Sequence, residues 1–138
     1  MGMLVRRDIR EVWEQIKPGL LEIKRLTPPP QWKPEDVYHE CLAEKSHVYM
    51  DLEGSPGEFV VLQSGVNPYT AETELTVWIA YSKNPHASDT HLGDIVKLAK
   101  SINAHRLIMQ SPRKGFSRSR WWKSFAVEYH MDVDAYEQ

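Results

Sequence analysis

The residues best suited to bind a ligand lie near the carboxyl end, at positions 113–123. Cations alternate there with aromatic rings, in the order Arg113, Lys114, Phe116, Arg118, Arg120, Trp121, Trp122 and Lys123. Cations neutralise phosphates and rings stack on bases, so this segment could contact nucleic acid, another phosphate-bearing ligand or an acidic partner protein. We favour a plainer interpretation, in which a solvated basic loop leads into a short helix whose tryptophans pack in the core.

Other reactive residue types are present without a spacing that assembles a site. His86, Asp89 and His91 could ligate a metal, but the two histidines are not four residues apart and no cysteine lies near them, so we predict no metal site. Cys41 has apolar neighbours, which favour a buried structural thiol over a nucleophile. Ser55 stands in Gly54-Ser55-Pro56-Gly57, which we interpret as a turn.

The amino-acid composition limits the classes of protein to which this chain can belong. The 138 residues are 41% hydrophobic and 26% charged, which is typical of one folded domain spanning residues 1–138. The formal net charge of −2 argues against a dedicated nucleic-acid protein, although no acidic residue occurs from Ile95 to Val127. One cysteine, no apolar run long enough for a membrane span and no signal-peptide pattern predict a soluble, cytoplasmic protein.

Hydrophobic periodicity predicts helices in the first third of the chain and strands in the middle. A short strand at 4–7 precedes a helix that begins at Asp8 and that Pro18-Gly19 should kink or split. A second helix is expected from Pro34 to about Glu44, with Val37, Tyr38, Cys41 and Leu42 facing inward. Three strands of a meander should then follow at 47–52, 59–62 and 75–81.

The last third alternates between helix and strand. Asp89 and Thr90 should cap a helix that ends at a left-handed Asn103. An apolar strand at 107–109, a short helix at 117–125 and a final strand at 127–133 complete the expected order, with Met131 and Val133 alternating in that final strand. The fold class is therefore α/β (α+β), and the family resemblance given next implies a mixed, mainly antiparallel central sheet with helices on both faces.

This order of elements resembles the acyl-CoA N-acyltransferases of the GNAT fold over nearly the whole chain. The segment Leu107-Ile108-Met109-Gln110-Ser111-Pro112-Arg113-Lys114-Gly115-Phe116-Ser117-Arg118 is similar to the ending of small GNAT-like proteins encoded by tailed phages. The opening Val12-Trp13-Glu14-Gln15-Ile16-Lys17-Pro18-Gly19-Leu20 is similar to theirs as well.

The resemblance implies that acetyl-CoA or another acyl-CoA lies between the fourth and fifth strands. The implied contacts are Trp78, Ile79, Ala80, Lys83, Asn84, Arg113 and Lys114. Family members often use a carboxylate on the central strands as base and a tyrosine as acid, for which this chain offers Glu74, Tyr81 and Tyr129. Members also bind the pyrophosphate with a glycine-rich turn at a helix N-terminus, whereas the corresponding residues 83–88 contain no glycine.

Three hypotheses for function follow. The first is a divergent acetyltransferase-like protein of phage origin. The second is a non-catalytic virion or host-interaction protein on the same scaffold, with a phage or host protein as its partner and a location on the virion. The third is a nucleic-acid binder that acts through the segment from Arg113 to Lys123.

Overall fold

Five strands and three helices make up most of the part of the chain that the computed structural model describes. The structure describes residues 4–26, 32–51, 53, 57–82, 87–109, 131 and 133–135. The elements along the chain are β1 (Leu4–Arg7), α1 (Ile9–Leu26), α2 (Pro34–Leu42), β2 (His47–Asp51), β3 (Phe59–Val66), β4 (Thr73–Tyr81), α3 (Ala87–Ser101), β5 (Arg106–Met109) and a 3₁₀ turn at Val133–Ala135.

The sheet follows the order of the chain, β1-β2-β3-β4-β5. Its first four strands are antiparallel neighbours, whereas β5 runs parallel to β4 after α3 crosses over. The predicted mixed, mainly antiparallel sheet is therefore confirmed. A parallel neighbour requires such a crossover, and a helix is its usual form.

Helices cover both faces of this sheet, and each face has its own buried cluster. On one face α1 and α2 contribute Ile9, Val12, Ile16, Leu20 and Val37, which pack against Val48, Met50, Phe59, Val61 and Ile79 of the sheet. On the other face α3 contributes Ile95 and Ala99, which pack against Leu4, Val60, Leu62, Leu75 and Val77. The apolar period of α1 and the alternation within β2 and β3 place these residues inward.

Helix α1 continues through Pro18 without the split that was one of the two outcomes predicted for Pro18-Gly19. Proline removes one backbone hydrogen bond and costs about 3 kcal/mol in a helix interior. Ile16 and Leu20, on either side of Pro18, are both 0% exposed. Burying two such side chains contributes about 3–6 kcal/mol, which offsets the proline and keeps both halves in one helix. At the start of α1, Asp8 Oδ1 accepts the Arg10 N–H at 2.9 Å, as the predicted cap requires.

Helix α3 begins at Ala87, so Asp89 and Thr90 lie inside the helix instead of capping it. An acidic residue in the first turn is favoured by the helix dipole just as one at the cap is, and the sequence signal does not separate the two positions. Asn103 adopts the expected left-handed conformation after α3, with φ 57°.

The predicted inward position of Leu42 is wrong, and Met131 and Val133 do not lie in a strand. Leu42 is 44% exposed because it lies five residues after the buried Val37, about 140° around α2. Of the final predicted strand the structure describes only Met131 and Val133. Met131 is in no regular element and Val133 starts the 3₁₀ turn, and they are 67% and 80% exposed.

Candidate active site at the end of the fourth strand

The register between β3 and β4 slips by one residue at Trp78. Val61 pairs with Ile79 and Leu62 pairs with Val77, so Trp78 is an extra residue on β4. The slip changes which face each side chain occupies: Val77 belongs to the cluster under α3, whereas Ile79 belongs to the cluster under α1 and α2. Such a β-bulge bends the strand and leaves one residue out of the ladder, which is why bulges occur beside active sites.

β4 extends further than the part of β5 that pairs with it. The pairs run from Glu74 with Arg106 to Val77 with Met109, and Met109 is the last residue of β5 that the structure describes. Within the described residues, the second half of β4, at 78–81, is therefore paired with β3 alone. The bulge and this half-paired stretch fall at the same place in the strand.

Aromatic rings line the α1 and α2 side of this strand end. Trp78 is half-buried and meets Trp32, just before α2, edge to face with ring centroids 6.4 Å apart. Tyr81 stacks on Phe59 of β3 with centroids 5.8 Å apart and planes 28° apart. Edge-to-face and offset-stacked pairs of this kind stabilise the position of each ring.

Tyr81 is also held by helix α1. A Cβ atom on Gly19 would lie 2.7 Å from Tyr81 Cδ2 and 2.9 Å from Phe59 Cε1, so any side chain at this position would push the two rings away from the helix. One turn further along, Glu22 Oε2 accepts the Tyr81 hydroxyl at 2.5 Å. That hydrogen bond is the main cause that raises the pKa of Tyr81 above its ordinary value, and the charges of Glu22 and Glu58 act in the same direction.

Glu58 is a second carboxylate near this phenol. It directly precedes β3, is 7% exposed, and its Oε1 accepts no hydrogen bond from any described residue. A buried carboxylate oxygen without a donor is uncommon in native proteins, because taking it out of water is costly. The strand end thus combines one phenol, two carboxylates and a wall of aromatic rings.

Glu74 lies at the opposite end of β4 from Tyr81, so these two predicted catalytic residues do not meet. Seven residues of extended chain separate them, which is about 23 Å. Glu74 is 15% exposed in its side chain, and its Oε2 accepts the Asn67 amide at 3.3 Å and the Arg106 guanidinium at 3.5 Å. These partners give Glu74 a structural role at the start of the β4–β5 pair.

The other residues predicted from the resemblance divide into two groups. Ile79 is 4% exposed and packs in the core, so a ligand at this place would meet its backbone; Ala80 is exposed and presents a small side chain. The predicted contacts Lys83, Asn84, Arg113 and Lys114, the catalytic candidate Tyr129, and the whole of 113–123 lie outside the described residues.

No metal site emerges from the described part of the chain. No group of three or more histidine, cysteine or acidic side chains there could hold an ion. Among the residues His86, Asp89 and His91, which were considered as metal ligands, His91 is the one whose side chain the structure describes. Its Nε2 lies 3.0 Å from Asp51 Oδ2 and links α3 to the end of β2. No described helix is both long and apolar enough to cross a membrane.

Sequence reasoning missed Gly19, Glu22 and Glu58 as site residues. It treated Gly19 as part of a helix break, although a glycine inside a helix that continues is itself a sign of close packing. Glu22 and Glu58 carry no local signal, because both acquire their positions only when α1 and β3 meet the end of β4.

Comparison with solved structures identifies the architecture. The chain superposes on a protein from Clostridium acetobutylicum, described as a predicted acetyltransferase with acetyl-CoA, with a TM-score of 0.71 at 10% identity over 100% of both chains. The chain has the GNAT acetyltransferase fold. A GNAT-fold acetyl transferase from Pyrococcus furiosus gives a TM-score of 0.70 at 12% identity, covering 96% of this chain and 100% of that one.

A third GNAT neighbour is the ribosomal-protein-alanine N-acetyltransferase of Brucella melitensis biovar Abortus. Its TM-score is 0.68 at 14% identity, over 96% of this chain and 99% of that one. No protein-family model matches the sequence, and no curated protein matches it either. The predicted GNAT-like fold is confirmed, whereas the predicted phage origin and virion association receive no support and stay predictions.

Proposed function

We propose that this protein transfers an acyl group from acyl-CoA, with acetyl-CoA as the first candidate, to an amine. The observation that carries the proposal is the end of β4, where the strand bulges at Trp78 beside a wall of aromatic rings and the small, exposed Ala80. Solved structures that share this fold along nearly their whole length are acetyltransferases, and one of them holds acetyl-CoA.

The strand end suits the pantetheine arm of CoA. That arm carries amide groups, which need backbone partners, and a bulged strand presents backbone groups that are out of the regular ladder. Ala80 is exposed and small, so a ligand can approach the backbone closely there. When bound, the thioester would supply the activated acyl carbon.

Phosphate recognition is assigned to the basic residues after β4 and β5. Lys83 and the polar Asn84 follow β4 after one residue, and Arg113 and Lys114 lie in a stretch without acidic residues. Because residues 83–88 lack glycine, we propose that side-chain cations contribute more of the phosphate binding here than a tight backbone cradle does. This predicts a pronounced loss of affinity at high salt.

Calorimetric titration with acetyl-CoA, and with free CoA in parallel, tests the proposal. Micromolar binding is expected, and changing Ala80→Leu should abolish it by filling the approach to the strand. Ser64→Leu, at another exposed strand position on β3, is the matched control and should bind as the wild type does. Absence of binding at millimolar ligand, with far-UV circular dichroism showing a folded protein, would overturn the acyl-CoA proposal.

The two other hypotheses predict different outcomes of the same set of measurements. A nucleic-acid binder acting through Arg113 to Lys123 requires a mobility shift that weakens steeply with salt. A non-catalytic module requires a protein partner or co-sedimentation with particles, and no binding of acetyl-CoA. The nucleic-acid hypothesis rests on residues outside the described part of the chain, and no described residue bears on the partner hypothesis, so both stay predictions.

A further inference from the structure

The end of the sheet opposite the candidate active site exposes several apolar side chains. Tyr69, in the loop between β3 and β4, is 95% exposed. Val66, the last residue of β3, and Ile102, in the connection from α3 to β5, are exposed as well. Exposed apolar residues that occur singly need no explanation, whereas a group of them at one end of a sheet indicates an interaction surface.

The loop that carries Tyr69 is fixed by hydrogen bonds around Asn67. Asn67 Oδ1 accepts the backbone N–H groups of Tyr69 at 2.9 Å and of Thr70 at 3.2 Å. The Asn67 backbone N–H donates to Glu72 O at 2.8 Å, and its backbone O accepts the Ala71 N–H at 2.9 Å. None of these bonds uses the Tyr69 ring. A side chain presented by an ordered loop binds at a lower entropic cost than one on a loop that must first be ordered.

A cleft of about 350 Å³ opens at the same end of the sheet. Its lining residues run from the end of α3 to the residue before β5, and they are Lys100, Asn103, Ala104 and His105. The His105 N–H donates to Thr73 O at 2.8 Å, which places this connection beside the start of β4. The Tyr69 loop at 66–72 and the cleft at 100–105 therefore form one surface, which we name the corner surface.

The chemistry of the cleft suits the side chain of a tyrosine. Lys100 is exposed and forms no ion pair with a described carboxylate, so its ammonium can lie over an aromatic ring. Ala104 supplies an apolar contact, and the Asn103 amide can bond to a phenol hydroxyl. Glu72 lies three residues after Tyr69, so the loop is acidic where the cleft is basic.

We propose that the corner surface is a dimer interface, in which Tyr69 of each copy of the chain enters the cleft of the other copy. Ring and cleft lie on the same surface, which is the condition for a symmetric interface where each copy gives and receives one contact. The two rings form its apolar centre together with Val66 and Ile102. Glu72 of each copy then faces the basic cleft of the other. The candidate active site stays open, because it lies at the other end of β4.

Analytical ultracentrifugation from micromolar to hundreds of micromolar protein tests the dimer. Wild type should dimerise, and Tyr69→Ala should weaken the dimer at least about 30-fold, as loss of a central interface ring does. The variant should fold normally, which far-UV circular dichroism checks, because the Tyr69 ring lies almost wholly in solvent. Leu21→Ala removes an exposed apolar side chain of α1; it is the matched control and should dimerise as wild type does.

A mixing experiment tests whether the ring and the cleft meet each other. Lys100→Glu keeps Tyr69 but reverses the charge of the cleft, so it should also weaken the dimer. An equimolar mixture of Lys100→Glu and Tyr69→Ala combines one intact ring with one intact cleft. A heterodimer should therefore form more tightly than either variant associates with itself.

Four results would overturn the proposal. Wild type that is folded and monomeric over the whole range would show that a second copy does not bind, so that any partner of the corner surface is a different molecule. Dimerisation of Tyr69→Ala with the wild-type affinity would place the interface elsewhere. A mixture that associates no more tightly than its components would exclude the contact between ring and cleft. A series of ever larger species in place of a dimer would exclude the symmetric arrangement.

Discussion

Replacing Gly19 by alanine is the sharpest test of how α1 packs on the strand end. The added Cβ would lie 2.7 Å from Tyr81 Cδ2, 2.9 Å from Phe59 Cε1 and 3.0 Å from Tyr81 Cε2. Ordinary contact begins at 3.4 Å, so the rings would have to withdraw by about 0.7 Å. The two rings are stacked on one another and the Tyr81 hydroxyl is bonded to Glu22, so neither ring can move freely.

Two effects of opposite sign determine the size of the change. Overpacking of this kind costs about 1–3 kcal/mol. Alanine is favoured over glycine in a helix by about 1 kcal/mol. The free energy of unfolding of Gly19→Ala should therefore fall by about 0–2 kcal/mol.

Gly93 provides the matched control. It lies in α3 with nothing within 4 Å of its would-be Cβ, so Gly93→Ala should gain up to about 1 kcal/mol from helix propensity alone. Urea unfolding followed by circular dichroism should separate the two variants by about 1–3 kcal/mol. A Gly19→Ala protein as stable as Gly93→Ala, with the Tyr81 pKa unchanged, would refute the packing described for this site.

Three further predictions concern the rest of the fold. Burial raises the pKa of the Cys41 thiol to about 11. At pH 8 the thiol of the native protein should therefore react with a disulfide reagent on the order of a hundredfold more slowly than the thiol of the urea-unfolded chain. Equal reaction rates would contradict this prediction. The His91 and Asp51 side chains are 17% and 8% exposed. A double-mutant cycle with alanine should therefore give a coupling energy above the roughly 0.2–1 kcal/mol of exposed surface pairs. A smaller coupling energy would show that the contact is weak in solution. Ile16→Ala removes a fully buried side chain from the α1 face and should cost about 2–5 kcal/mol in urea unfolding, whereas Gln15→Ala, exposed beside it, should cost less than about 0.5 kcal/mol.

The local sequence pattern was sufficient to predict which side chains are buried wherever a helix or strand packs one face against one neighbouring surface. The period of Ile9, Val12, Ile16 and Leu20 predicted the inner face of α1, and the alternation of residues in β2 predicted which of its side chains are buried. Element order then predicted the sheet and its helices on both faces, and the solved structures agree with it. These features follow from side-chain geometry along a helix or a strand, which is local.

The candidate site was predictable only in part. Tyr81 and the stretch at 78–80 were expected from the resemblance, and Tyr81 indeed lies among carboxylates and rings. Glu74 was a separate catalytic candidate at the start of the same strand, and its side chain contacts Arg106 there. A strand places its first and last residues far apart, so the two candidates cannot act together.

The sequence by itself determined the class of fold, the order of its elements and the faces that each buries, because hydrophobic period and turn residues act over a few neighbouring positions. Only the tertiary structure decided the bulge at Trp78, since all of residues 75–81 except Thr76 are apolar and the slip exists only in the pairing with β3. It also decided that Gly19 and Glu22 hold Tyr81, because a contact across 59 residues depends on how α1 crosses the sheet. Packing between distant elements is a property of the whole chain, and no local period encodes it.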